Sequence, residues 1–196
     1  MSFSVLFPVI AYLFGSISSA VIVSKLMGLP DPRAEGSKNP GATNVLRLGG
    51  KKAAIFTLLG DSIKGVVPVV MARYLGASDP VLALTALFAF MGHLYPVFFG
   101  FKGGKGVATA LGVLLALAWP VGLAALGSWL AMAFATRISS LSALTAAVLT
   151  PVFMWWFTGS DVFVALNLVV SVILIWRHRS NVRHILNGTE GRIGER

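Results

Sequence analysis

The sequence predicts an all-α integral membrane protein: a single bundle of seven transmembrane helices, some of them short, with the N-terminus outside and the C-terminus cytoplasmic. Three observations carry this expectation. Hydrophobic residues make up 56% of the 196 and charged residues 12%, about half the charged share of a soluble domain. Long apolar runs alternate with short Gly/Pro/Asp turn signals. The net charge of +9 gathers in a few loops, as cytoplasmic loops of membrane proteins do. In a soluble protein that charge would suggest nucleic acid; here topology accounts for it, and no nucleic-acid partner is expected. The absence of cysteine excludes disulfides, thiolate metal sites and a cysteine acyl-enzyme.

In chain order, the first span covers 3–26. No basic residue precedes it and no convincing small-residue cleavage site ends it, so it reads as an anchor. The loop 27–52 carries Arg33, Lys38, Arg47, Lys51 and Lys52. A second span, 53–75, ends at the turn 76–80, and a third covers 81–99. A polar island at 100–106 then precedes an apolar run, Val107–Ala135, interrupted at Trp119-Pro120. Read as one helix, that run gives six crossings; broken at Pro120, it gives seven. Charge favours seven. Both basic loops, Arg137 and the tail (Arg177, Arg179, Arg183, Arg192, Arg196) then share one side, opposite Arg73, Asp79 and Asp161. Spans at 107–119, 121–135, 141–157 and 161–177 complete one membrane-embedded domain over 1–196. At about 1.5 Å per residue, 107–119 does not reach across a bilayer, so its N-terminus is expected below the membrane surface. Trp155, Trp156 and Trp176, near span ends, read as an interfacial belt.

Two polar islands stand out from this hydrocarbon. The first, Gly36-Ser-Lys-Asn-Pro-Gly-Ala-Thr-Asn-Val-Leu-Arg47, combines Gly36, Pro40 and Gly41 as helix breakers with the short polar side chains of Ser37, Asn39, Thr43 and Asn44. Lys38 and Arg47 add positive charge with no acidic residue inside the stretch. That mixture suits an anion with several oxygens, above all a phosphate, although a solvated loop capped by Thr43 or Asn44 would share part of it. The second island, Lys102-Gly-Gly-Lys-Gly-Val-Ala-Thr109, sets Lys102, Lys105, Gly103, Gly104, Gly106 and Thr109 at a helix start. There, exposed N–H groups, the helix dipole and cations act together on an anion. It is not a Walker loop, because no Ser or Thr follows Lys105 and no strand precedes it.

Asp61 and Lys64 lie three apart and so on one face of the second span. At that depth charges are paired or functional, and positioning of a loop and direct substrate contact are equal readings. His93 takes a minor, packed role. His178 and Asn181, three apart at the end of the last span beside Arg177 and Arg179, either reach a phosphate or cap the helix. Ser139, Ser140 and Ser142 open the sixth span, Ser139 as a cap and Ser142 as a candidate ligand hydroxyl. There is no HxxxxD motif, no Gly-x-Ser-x-Gly elbow and no metal-ligand spacing, so neither metal nor cofactor is expected. Two phosphate-gripping islands with apolar walls suit a reaction between two phosphate-bearing molecules, one of them greasy.

The stretches GSKNPGATNVLR, GHLYPVFFGFKGGKGVAT with its His93, and IWRHRSNVRHILNGTE closely resemble the bacterial acyl-phosphate-dependent glycerol-3-phosphate acyltransferases of the PlsY type, over nearly the whole chain. The resemblance implies a seven-span enzyme of the bacterial inner membrane with its active site facing the cytoplasm. It would move a fatty acyl group from acyl phosphate to the 1-hydroxyl of sn-glycerol 3-phosphate, without metal and without acyl-CoA or acyl carrier protein as donor. On that reading the Gly36–Arg47 loop, Lys105, Ser142, His178 and Asn181 surround both phosphates, and a monomer in the lipid bilayer is expected. A membrane transporter of an organic phosphate or other anion is the competing class, against which stand the missing inverted repeat and the one-sided gathering of polar residues. A scaffold subunit would leave the islands without a purpose.

Overall fold

The computed structural model describes residues 3–194, with side chains from Val5 onward; Arg196 of the basic tail lies outside the described residues. Helix follows helix throughout: α1 (Phe3–Gly15), α2 (Ser19–Leu26), α3 (Ala42–Tyr74), α4 (Asp79–Leu94), a 3₁₀ turn (Val97–Phe99), α5 (Val107–Leu117), α6 (Trp119–Thr136), α7 (Ser139–Thr158), α8 (Asp161–Arg177) and α9 (Arg179–Leu186). They form two compact units, the first ending at Leu117 and the second beginning at Ala118.

Among the described residues, five segments are long and apolar enough to cross a membrane: Val5–Leu26, Ala42–Tyr74, Asp79–Phe99, Trp119–Thr136 and Ser139–Thr158. The α8–α9 pair, bent by 58°, makes a sixth if taken as one span. The break expected at Pro120 is present, with Ala118 extended and Trp119-Pro120 opening α6. What it leaves on the N-terminal side is α5, an apolar helix of 11 residues, or about 16 Å, roughly half the hydrocarbon thickness.

The expected first span matches Val5–Leu26, within which helix is interrupted at residues 16–18, between α1 and α2. Here α1 crosses α4 so closely that a Cβ on Gly15 would strike the Ala89 carbonyl, and one on Gly92 the Tyr12 carbonyl. Helix also precedes the second span: Gly41 caps a helical stretch that contains Thr43, Asn44 and Arg47, so the polar end of the first island is helical. Gly50 (φ 75, ψ −172) is not helical and kinks α3 between that stretch and the part that follows.

In the first unit α1 packs on α4, α2 on α3, and α3 on both α4 and α5. The inward face of α3 is Ala53, Thr57, Asp61, Lys64, Gly65, Pro68 and Ala72, while Ile55, Phe56, Leu59 and Ile63 are exposed. That outward apolar stripe is what a lipid-facing helix requires. Gly65 lies against the Thr109 carbonyl and Gly112 against the Ser62 carbonyl, so α3 and α5 meet backbone to backbone. Close approach over small residues is how helices associate where lipid removes the hydrophobic drive. At the far end of α5, Arg73 donates to the Ala116 and Leu117 carbonyls at 2.8 Å each, meeting its otherwise unsatisfied C-terminus. In the second unit α7 packs between α6 and α8. The tail returns there: Ile193 N–H donates to the Arg137 carbonyl (2.6 Å), and the Arg137 guanidinium donates to the Ile193 carbonyl (3.0 Å).

Candidate active site

The first island is a loop stapled from inside by Asn44. This side chain, 1% exposed, accepts from Ser37 N–H (2.9 Å) and donates to the Pro32 and Glu35 carbonyls (3.0 Å each). Asn44, expected as a substrate contact, is here buried with its oxygen and amide engaged inside the loop, which it shapes. Ser37, Lys38, Thr43 and Arg47 are exposed, and Asn39 and Gly41 half-buried. Lys38 sits in the left-handed region (φ 56) at the turn. Upstream, Arg33 closes on Asp31 through a 2.6 Å ion pair, backed by hydrogen bonds from its Nε and its backbone N–H. The hydrogen-bonding guanidinium holds the Asp31 carboxyl below its ordinary value of 3.8. Arg33 also stands over the Phe99 ring at 5.8 Å, tying the loop to the segment that leads into the second island.

The second island enters α5 from below. Gly104 N–H donates to the His93 carbonyl at 3.2 Å. A Cβ on Gly104 would strike His93 Nε2 and lie 3.0 Å from the Pro40 carbonyl oxygen, while one on Gly103 would strike the His93 and Leu94 carbonyls. The two islands therefore touch, Gly104 against Pro40, and only glycine permits the approach. Gly106 (φ 87) turns the chain into α5 over the Phe90 ring. The first-turn N–H groups of α5 have no intrahelical acceptor and carry the positive end of its dipole. Lys105 is half-buried and Lys102 exposed. Thr109 differs from expectation: wholly buried, its hydroxyl donates to the Asp61 carbonyl at 2.9 Å. It fastens α5 to α3.

Asp61, Lys64 and His93 form one buried cluster. Lys64 Nζ stands 2.9 Å from Asp61 Oδ1, and His93 Nδ1 approaches the same oxygen at 3.6 Å. Lys64 also donates to the Ile17 carbonyl at 2.9 Å, an acceptor left over by the α1–α2 break. Of the two roles open to Asp61 and Lys64 in the sequence, pairing inside the fold is the one this geometry favours.

In the second unit the three candidates occupy one end of α7, α8 and α9. The Ser142 hydroxyl is buried and donates to the Ile138 carbonyl, one turn back, at 2.9 Å. His178, 3% exposed, closes α8, and its Nδ1 stands 2.8 Å from the Leu174 carbonyl. A carbonyl only accepts, so Nδ1 carries the hydrogen and the neutral ring's basic nitrogen is Nε2. Asn181 Nδ2 and Ser140 Oγ both donate to Glu190 Oε1 at 2.6 Å, with His184 Nδ1 at 3.4 Å from Oε2. Sequence reasoning overlooked Glu190. The available signal was a carboxylate, one of seven acidic residues in the chain, standing inside a strongly basic tail.

Apolar helices around polar, glycine-rich loops mark the chain as a multi-pass integral membrane protein. Comparison with known proteins narrows this. A family profile described as Glycerol-3-phosphate acyltransferase matches residues 5–188. The glycerol-3-phosphate acyltransferase of Methylococcus capsulatus is 61% identical over 184 residues, covering 94% of this chain and 93% of that one. That of Thiobacillus denitrificans is 57% identical over 195 residues, covering 97% and 98%. The crystal structure of PlsY, an integral membrane glycerol 3-phosphate acyltransferase in its glycerol 3-phosphate form, superposes with a TM-score of 0.94 at 39% identity, over 98% of this chain and 96% of that one. The chain belongs to the glycerol-3-phosphate acyltransferase family.

Proposed function

We propose that the protein transfers a fatty acyl group from acyl phosphate to the 1-hydroxyl of sn-glycerol 3-phosphate. The products are 1-acyl-glycerol 3-phosphate (lysophosphatidate) and inorganic phosphate, and the reaction opens phospholipid synthesis. The observation that carries this reading is the meeting of the two islands at Gly104 and Pro40 in a member of this family. One loop with Arg47 and one helix N-terminus with Lys105 suit two phosphate groups held side by side. Crystal structures of the PlsY relative carry the same pairing of acceptor and product in their descriptions, a glycerol 3-phosphate form and a lysophosphatidic acid form.

In this mechanism Arg47 and Lys105 neutralise the phosphate of glycerol 3-phosphate, with Ser37, Asn39, Gly41 and Thr43 lining the loop. Lys102 and the N–H groups of the second island, other than the Gly104 N–H already given to the His93 carbonyl, hold the acyl phosphate. The glycerol 1-oxygen attacks the acyl carbonyl carbon, the bond from that carbon to the oxygen bridging it to phosphorus breaks, and the hydroxyl proton passes to the departing phosphate. An acyl phosphate is already activated, so orientation and charge neutralisation supply most of the rate. Ser142, His178 and Asn181 are further catalytic candidates from the second unit. A second reading has His178 as general base, favoured by the Nδ1–Leu174 hydrogen bond that leaves Nε2 as the ring's basic nitrogen. Near-complete loss of turnover in His178→Ala, with substrate affinity and folding intact, selects that reading. The crossing of seven spans, the inner membrane and the cytoplasmic face of the site belong to the same proposal, on the charge distribution of the loops.

The test is phosphate release by the purified protein in detergent, given palmitoyl phosphate with and without glycerol 3-phosphate, and palmitoyl-CoA in parallel. Release that needs both substrates and yields lysophosphatidate is expected. Release without acceptor means a hydrolase. Turnover with the CoA ester overturns the donor assignment. No turnover in a folded preparation directs attention to counterflow of labelled glycerol 3-phosphate in liposomes.

A further inference from the structure

The buried ionic cluster of the first unit adjoins the second island, and nothing in the acyl-transfer chemistry uses it. Asp61 is 2% exposed, Lys64 4% and His93 5%, and the other buried residues of α3 and α4 are uncharged. Charges so placed are destabilising unless they are paired, and a few apolar side chains would fill the same volume without that penalty. Contacts from Asp61 and His93 lead toward the second island and the start of α5. His93 turns one edge of its ring to Asp61 Oδ1, with Nδ1 at 3.6 Å. The opposite edge, at Nε2, fills the space a Cβ on Gly104 would need. The main chain of the same histidine accepts the Gly104 N–H at 3.2 Å, so ring and carbonyl together hold one glycine of the second island. The Asp61 carbonyl accepts the Thr109 hydroxyl at 2.9 Å, fixing the first turn of α5 beyond that island. Lys64, braced on the Ile17 carbonyl at 2.9 Å, keeps the Asp61 carboxylate from turning away.

We propose that Asp61 is a positioning residue: it acts through His93 to fix Gly103–Gly104, and so sets where the N–H groups of the second island and Lys105 meet a phosphate. The proposal rests on the phosphate-binding role assigned to that island above. It differs from a purely structural role for the cluster, which would change folding and leave the affinity of the folded protein for phosphate as it was. It also gives His93 a definite task, as the spacer between a carboxylate and a loop.

The experiment measures binding of inorganic phosphate to the detergent-solubilised full chain by calorimetry, with the thermal unfolding midpoint recorded for each variant. Asp61→Asn, which keeps shape and removes charge, is expected to weaken phosphate binding about tenfold while the folded protein persists at the assay temperature. In a His93→Ala background, Asp61→Asn is expected to add less than a factor of two, since the path through the ring is already gone. Independent, multiplying effects overturn the proposal, as does unchanged phosphate affinity in Asp61→Asn.

Should Asp61→Asn fail to fold, Gly104→Ala leaves the buried pair alone and drives a methyl group into His93 Nε2. It is expected to weaken phosphate binding strongly in the wild-type background and several-fold less in His93→Ala, where the ring has been removed; equal losses in both backgrounds overturn the proposal. The two readings fail separately. A protein that transfers acyl groups but binds phosphate equally with and without the Asp61 charge refutes this inference alone. One that transfers none, yet loses phosphate affinity in Asp61→Asn, refutes the acyltransferase reading alone.

Discussion

Asn44→Ala isolates the staple inside the first island. The substitution removes three hydrogen bonds of 2.9–3.0 Å, to Ser37 N–H and to the Pro32 and Glu35 carbonyls, from a side chain 1% exposed. At about 1 kcal/mol net for each bond, residues 32–37 lose about 3 kcal/mol of order relative to the rest of the protein. That corresponds to a rise of about 150-fold in the population of the open loop. Trypsin reports it directly, because Arg33 lies inside the stapled segment, Lys38 directly follows it, and cleavage tracks the open population when reclosing is fast. Faster cutting after these two residues is expected, with a raised KM for glycerol 3-phosphate and unchanged cutting after Lys51 or Lys52. If affinity falls while the cleavage rate after Arg33 and Lys38 stays within about threefold of the unaltered protein, Asn44 contacts substrate directly and the staple argument is refuted.

Three more predictions come from other contacts. Lys105→Ala is expected to lower kcat/KM at least a hundredfold, and Lys51→Ala, exposed on the outer face of α3, less than twofold; equal losses in steady-state assays refute the phosphate grip. The Asp31 carboxyl, held below its ordinary value of 3.8 by Arg33, contributes loop order that is fully present above that value and is lost as pH falls through the lowered one. Hydrogen exchange over residues 31–38 is expected to accelerate in that acid window, and Asp31→Asn to abolish the pH dependence. Arg73→Ala, which strips two 2.8 Å bonds from the end of α5, is expected to cost about 2 kcal/mol or more in detergent unfolding, with Arg73→Lys recovering part of it.

Much of this was legible before any coordinates. Both islands announced themselves because glycines, lysines and short polar residues are conspicuous among apolar spans, and Pro120 marked the break that shortens α5. The spacing of Asp61 and Lys64 put them on one face of a helix but left pairing and substrate contact as equal readings; the 2.9 Å approach of Lys64 to Asp61 favours pairing. What escaped was everything set by distant contacts. Asn44 and Thr109 have the same composition as a ligand-binding residue; only burial and the partners Pro32, Glu35 and Asp61 reveal them as fasteners. The break at 16–18 arises from the closeness of α1 to α4, which a hydropathy pattern does not record. Glu190 is invisible for a related reason, since its partners Ser140 and Asn181 lie 50 and 9 residues away along the chain.

The backbone contact between α3 and α5 also bears on how the protein comes to be in a membrane at all. With 11 residues and two lysines just ahead of it, α5 is too short and too polar at its entrance to be inserted by its own hydrophobicity. It has to be carried in by a neighbour already there, and the surface that receives it is the strip where Gly65 meets Thr109 and Gly112 meets Ser62. The placement of the loop with Lys105 therefore depends on α5 docking against α3. A side chain at Gly65 or Gly112 would strand the second island outside a correctly inserted protein, a defect of assembly that would look in an assay like a defect of chemistry.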